Sequence, residues 1–273
     1  MKLSVSNISW DNNELDAHLK LLRDLGCEGV DIAPSCVWPE PVHIEQEEMK
    51  RFKRLIEKYH LAIASFHALL YTRPDLYLFG DETARGEAVS YLKKLIRLAG
   101  ELSVKTLIYG SPKSRKIGDQ DRAKCYSRAV EIFRELAKEA KRHDTCLCIE
   151  PLGPSESDFI NVADEAYRLV EDVDSAGFGL HLDAKAMVET KEDFHRVFQR
   201  YGGLLKHFHV SEPGLAPPGH SGFDHSIIGR ELCACGYPGF VAIEMRKGFG
   251  ETKEVIKNAV HYTRQRYFSH HEK

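Results

Sequence analysis

The chain lacks any apolar run long enough to cross a membrane as a helix. Its first residues, MKLSVSNISWDNN, also lack the apolar stretch that opens a secretory signal. These absences set the expectation of a cytoplasmic protein with no membrane partner. A basic excess is missing too: 38 Lys and Arg stand against 41 Asp and Glu, a formal net charge of −3. A nucleic-acid-binding surface normally needs the opposite balance, so nucleic acid is not an expected partner. There is no C-x-x-C pair, and the cysteines number seven, an odd count. In a chain of 273 residues this reads as reduced thiols. On that reading Cys146 and Cys148 (CLC), and Cys233 and Cys235 (CAC), are small core fillers. No linker, low-complexity segment or repeat breaks the chain, so one domain spanning 1–273 is expected. A glycine-rich phosphate turn is also missing after the first apolar run, which ends in SNISW. That argues against a dinucleotide-binding open sheet.

What the chain does have is alternation. Eight short, β-rich runs recur: KLSVSN, GVDIA, AIASF, KTLIYG, TCLCIE, FGLHLD, LLKHFH and FVAIE. They are nearly continuous in apolar character, as strands covered on both faces should be. A longer amphipathic segment follows each. Leu15, Leu19, Leu22 and Leu25 show the three- and four-residue spacing of a helix face. Glycine closes several of these segments, as at Gly26 and at Gly202–Gly203. The GGLLK segment from 202 reads as the start of a buried strand. Eight strand–helix alternations predict an α/β protein built as a closed (β/α)8 barrel.

Active sites of such barrels lie at the C-terminal ends of the strands. Four consecutive runs, the fifth to the eighth, end in Glu150, Asp183, His209 and Glu244. Three carboxylates converging in a barrel mouth repel one another and resist ionisation, a penalty that a divalent cation removes. Mixed oxygen and imidazole ligands favour Mn2+, with Mg2+, Co2+ and Zn2+ compatible. The blander reading pairs Glu150 and Glu244 with Arg or Lys at the rim. His181 and His207 lie two residues before Asp183 and His209, on the same side of their strands but a layer deeper. They read as core histidines rather than ligands.

These residues, carried by IEPL at 149–152, HLD at 181–183, HFHVSEP at 207–213 and YPGFVAIEM at 237–245, resemble the xylose isomerase-like TIM-barrel superfamily. The likeness spans nearly the whole chain. It is greatest to the sugar phosphate isomerase/epimerase branch, which includes ketose 3-epimerases, hydroxypyruvate isomerases and inosose dehydratases. The resemblance implies one divalent metal, commonly Mn2+, bound by Glu150, Asp183, His209 and Glu244. It implies proton abstraction next to a sugar carbonyl, through a metal-stabilised enediolate. One of Glu150 and Glu244 removes the proton and the other returns it on the opposite face. It further implies substrate-facing roles for His67, at the end of the third run, and Glu156, beyond the fifth. Family barrels often form homodimers or homotetramers, which is carried as an expectation.

Two positions depart from the ketose epimerase pattern. That pattern has a histidine three residues after the metal aspartate and an arginine six after the metal histidine. Ala186 and Leu215 stand there instead. Both family side chains grip sugar oxygens, so their loss argues against a free ketohexose. Lys185 is a candidate substitute. In YGSPKSRK, Ser111, Lys113 and Arg115 are candidates for binding a phosphate or carboxylate, since a glycine turn exposes amides and the cations neutralise charge. Arg246, two after Glu244, is a candidate contact to an anionic substrate. Asn7, Trp10 and Trp38 follow the first two runs, where aromatic rings stack on a sugar or simply fill a core.

The leading expectation is therefore a metal-dependent isomerase or epimerase of a sugar, sugar acid or sugar phosphate. The alternatives are a polyol-ketone dehydratase on the same scaffold and a non-catalytic metal- or metabolite-binding barrel. A DNA-cleaving relative needs more metal ligands than this chain presents.

Overall fold

A computed structural model describes residues 1–269. Eight parallel strands close on themselves in chain order. They are β1 Lys2–Ser6, β2 Gly29–Ile32, β3 Ala62–Phe66, β4 Thr106–Tyr109, β5 Cys146–Ile149, β6 Phe178–Asp183, β7 Leu205–Val210 and β8 Phe240–Ile243. β8 returns to pair with β1, so the sheet has no edge. Around it run α1 Leu15–Asp24, α2 Pro34–Val37, α3 Gln46–Lys58, α4 Glu82–Glu101 and α5 Arg122–Arg142. They continue as α6 Ala163–Val173, α7 Ala184–Glu189, α8 Phe194–Tyr201, α9 Ser226–Ala234 and α10 Thr252–Thr263. The expected (β/α)8 barrel is what forms.

Local sequence explains the helix starts. The carboxylates of Asp81, Asp121 and Asp193 accept the amides of Ala84, Lys124 and Arg196, and so cap α4, α5 and α8. α2 opens on Pro34, whose missing N–H costs nothing in a first turn. α2 and α7 are short additions after β2 and β6. The GGLLK segment begins differently from the expectation. Gly202–Leu204 form a single 3-10 turn and the strand starts at Leu205. A side chain at Gly202 would lie 2.6 Å from the Cys235 sulfur, so the backbone presses against the end of α9 before the strand begins.

The two faces of the sheet differ in chemistry. Outward residues such as Leu3, Val5, Val30, Ile32, Phe66, Leu147, Leu182, Phe208 and Val241 join the helices in the main apolar core. Inside the barrel, Ile108, Cys146 and Cys148 make a small separate apolar cluster. Above it the lumen is polar. Ser4, Ser6, Asp31, Ser65, His67, His181, His207 and His209 are all buried. Such lumens are more often filled with branched aliphatic side chains. Trp10 stacks on His18 at 5.0 Å, and Trp38 meets Phe52 edge-on at 4.8 Å, so both indoles are core packing rather than a sugar platform. Asn7 accepts the Ala33 amide at 2.7 Å and ties two loops together. None of the seven cysteines is disulfide-bonded. Among the described residues no helix is long and apolar enough to cross a membrane.

Candidate active site

β5 to β8 deliver four groups to one place at the barrel mouth. Asp183, His209 and Glu244 each offer a ligand atom, all within 4.8 Å of one another. Glu150 reaches His209 and His181 within the same limit. Glu150, Asp183 and His209 are buried, and the Glu244 side chain keeps 16% exposure. Room for Glu150 comes from the end of β4: a side chain at Gly110 would lie 2.2 Å from its Oε2.

The donor set fits a cation. Burial first, then the charges of Asp183 and Glu244, push the Glu150 carboxyl up to about 8. Burial raises Asp183 as well, although Lys185 opposes it. Glu244 goes the other way. Burial works against its charge, but His209 and His67 outweigh that and hold it well below the usual carboxylate range. Both ring nitrogens of His209 are buried without a hydrogen-bond partner. Anionic oxygens and a ring nitrogen crowded together, with one carboxyl resisting ionisation, match the ligand chemistry of a divalent metal.

Neighbours fix each of these side chains. Asp183 accepts the Ala186 amide at 2.9 Å on Oδ1 and the Ser211 hydroxyl at 2.5 Å on Oδ2. His67 was expected to face substrate. It is buried, with Nδ1 3.1 Å from the Glu244 Oε1. Its Nε2 lies 2.7 Å from the Ser6 hydroxyl. Ser6 Oγ also accepts the Ile8 amide at 3.3 Å. His67 thus steadies a carboxylate. Ser6, Ser211 and Asp31 were not anticipated. For Asp31 a signal existed, since it is a charged residue inside the apolar run GVDIA.

The other candidates divide. Lys185 Nζ lies 2.9 Å from Glu156 Oε2, which joins the loop after β5 to the first turn of α7 at the mouth. Burial disfavours the Lys185 charge, but Asp183 and Glu156 outweigh that and hold the ammonium above its ordinary value. Ser111 sits in the left-handed region at φ 41, with its hydroxyl buried and unpartnered. Lys113 is exposed on the same loop. Arg246 is exposed, lies over the Phe249 ring at 4.9 Å and donates to the Gly214 carbonyl at 2.9 Å, bracing the loops after β7 and β8.

Arg115 corrects an expectation. It is buried and donates to the main-chain carbonyls of Glu150, at 2.6 Å, and Ile160, at 3.1 Å. Its guanidinium fastens the loop that carries Glu150 and is not open to a phosphate. Arg115→Met should therefore lower stability by about 3 kcal/mol, because the Glu150 carbonyl loses its Arg115 donor and the Ile160 carbonyl keeps only the Leu152 amide. An unchanged urea midpoint would contradict this.

After β7 the chain is held by Glu212. Its carboxylate accepts the amides of Gly219 and Ser221, each at 2.5 Å, and lies 3.1 Å from His225 Nε2. Burial would raise this carboxyl, but the imidazole and the amides hold it down to about 2. A depressed folded-state pKa contributes stability above the unfolded value of about 4.3, lost as pH falls toward 2. Wild-type melting temperature should drop through that window, and Glu212→Gln should show a smaller drop from a lower starting value. Parallel melting curves for the two proteins would contradict the assignment.

Fold and site together define a closed parallel barrel whose mouth gathers buried acids and a histidine, a donor set that fits a divalent cation. The particular family follows from comparison: the chain belongs to the xylose isomerase-like TIM barrel family, whose model matches residues 19–266. Among curated relatives, a D-psicose 3-epimerase of Ruminiclostridium cellulolyticum is 31% identical over 119 residues, covering 44% of this chain and 41% of that one. A D-psicose 3-epimerase of Enterocloster bolteae is 22% identical over 248 residues, covering 89% of this chain and 82% of that one. Among solved structures, the IolI protein with a bound zinc atom superposes with a TM-score of 0.79 at 18% identity, over 98% of this chain and 100% of that one.

Proposed function

We propose that this protein is a metal-dependent sugar epimerase or isomerase, with Glu150, Asp183, His209 and Glu244 as the ligands of one divalent ion, Mn2+ favoured. The observation that carries the proposal is the contrast between two glutamates at one site. Glu244 stands 3.1 Å from His67 Nδ1 and 3.4 Å from His209 Nδ1, while Glu150 stands farther off, 3.7 Å from His181 Nε2. They come from β5 and β8, three strands apart around the ring. Epimerisation needs two such groups, one to take a proton from carbon and one to return it on the other face.

When bound, the cation supplies positive charge against a substrate carbonyl oxygen, without which the adjacent C–H is too weak an acid for a carboxylate. The protein does the rest. Ser6 and His67 keep Glu244 ionised and aimed. Arg115 and Gly110 fix where Glu150 enters. Lys185 and Glu156, a pre-formed pair at the mouth, are placed to bind substrate hydroxyls where the family's histidine and arginine are replaced by Ala186 and Leu215. Ser111, with its unpartnered hydroxyl, Lys113 and Arg246 are the remaining candidates on the rim.

The names of the relatives support a ketose substrate altered at C3. Purified protein with Mn2+ and a panel of ketoses in D2O should give the C3 epimer, with deuterium taken up at that carbon. An absorbing enone or dione would instead indicate a dehydratase. No turnover and no deuterium exchange with any ketose, sugar acid or sugar phosphate would remove the catalytic reading.

A further inference from the structure

The lumen beneath the four mouth residues holds a carboxylate that the chemistry above does not use. Asp31 lies in β2, one of the eight barrel strands, and is 0% exposed. The pairing of β2 with β3 shifts between Val30 and Asp31, so that Asp31 lies opposite Ser65 rather than Ala64. Such a bulge re-aims a side chain. Here it accompanies an acid turned into the barrel interior. A buried, unpaired carboxylate costs several kcal/mol, so its partners indicate what it is for. The Ser4 hydroxyl donates to Oδ1 at 2.5 Å, and the Ser65 hydroxyl donates to Oδ2. His207 Nε2 stands 2.6 Å from Oδ2, and His209 Nε2 stands 3.7 Å from the same oxygen.

His209 thus lies between two anions and hydrogen-bonds to neither at these distances. Its Nε2 faces Asp31 below, and its Nδ1 faces Glu244 Oε2 above, at 3.4 Å. The ring is hemmed in by other histidines, with centroids 4.3 Å away at His181, 5.2 Å at His207 and 5.5 Å at His67. A neutral imidazole carries one N–H, and the fixed anion decides where it sits. A proton on Nε2, toward Asp31, leaves the Nδ1 lone pair directed at the mouth. Ligating histidines are commonly oriented by a carboxylate on their second nitrogen.

We infer that Asp31 is the positioning carboxylate of this site: held by Ser4, Ser65 and His207, it fixes the tautomer and orientation of His209 so that Nδ1 is presented to the cation. Asp31 acts only through His209 and touches no substrate. The inference rests on the proposal that Glu150, Asp183, His209 and Glu244 hold a divalent ion, and the experiment separates the two.

Mn2+ is titrated into metal-stripped wild-type and Asp31→Asn proteins, followed by the free-ion EPR signal. In parallel, 15N shifts of the histidine rings are recorded on metal-stripped wild type at alkaline pH, with His209→Gln identifying the His209 signals. Wild type should bind one ion, and Asp31→Asn should bind it about 10- to 100-fold more weakly. His209 should carry its proton on Nε2. Equal affinities in the two proteins, or a proton on Nδ1 of His209, would overturn the role of Asp31 while leaving the cation site standing. No binding by wild type would overturn both. If Asp31→Asn does not fold, the wild-type ring shifts alone decide, because a carboxylate that merely filled the lumen would not set the tautomer.

Discussion

Glu150→Gln should lower turnover about 10²- to 10⁴-fold, the usual worth of a positioned acid or base, and leave the barrel folded. The amide keeps the shape of the carboxylate and one oxygen for a cation, but it cannot carry a proton between carbon faces. Burial and the neighbouring Asp183 and Glu244 already hold Glu150 up to about 8 in the metal-free site, so a neutral group there costs little stability. The decisive measurement is exchange. If Glu150 serves only one face, Gln at 150 should abolish epimer formation, yet a substrate whose proton faces Glu244 should still exchange with D2O. Full epimerase activity in Glu150→Gln would contradict the two-glutamate scheme. A circular dichroism melt within a few degrees of wild type separates lost chemistry from lost fold.

The second large effect is removal of the ion. EDTA should bring activity to background, a loss of about 10³-fold or more given several kcal/mol of charge stabilisation, and Mn2+ should restore it. The pH dependence of stability gives an independent readout. In the metal-free protein Glu150 has a folded-state pKa raised to about 8 by burial and by the acids beside it. A raised pKa contributes stability that is present below the unfolded value of about 4.3 and lost as pH rises through 8. Stripped protein should therefore weaken from pH 5 to pH 8, and Mn2+ should cancel that loss by stabilising the ionised carboxylate. The gain in melting temperature on adding Mn2+ should be larger at pH 8 than at pH 5. A gain independent of pH would mean that the ion binds somewhere other than against Glu150.

Much of this site can be read from the sequence because strand ends are a one-dimensional signal. An apolar run that closes on Glu150, Asp183, His209 or Glu244 announces both the strand and the group at its mouth. The eight long helices are legible for the same reason, through their apolar spacing. α2 and α7 span four and six residues, too few to show a period. Direction is what the sequence hides. Arg115 sits among polar loop residues, and only the fold shows it turned inward onto the carbonyls of Glu150 and Ile160. His67 ends its strand as an active-site residue would, yet it is buried, with Nε2 bonded to Ser6 and Nδ1 3.1 Å from Glu244. Asp31 is obscured by the shift in β2 pairing, a feature of strand register that no local pattern encodes. The odd element was in view, a charge within GVDIA, but its partners Ser4, Ser65 and His207 lie on three other strands.

Anomalous diffraction from crystals grown with Mn2+ tests the central claim most directly. One peak is expected at the mouth of the barrel, bonded to oxygens of Glu150, Asp183 and Glu244 and to Nδ1 of His209. An empty mouth, or any of those four side chains pointing away from the ion, would contradict the account.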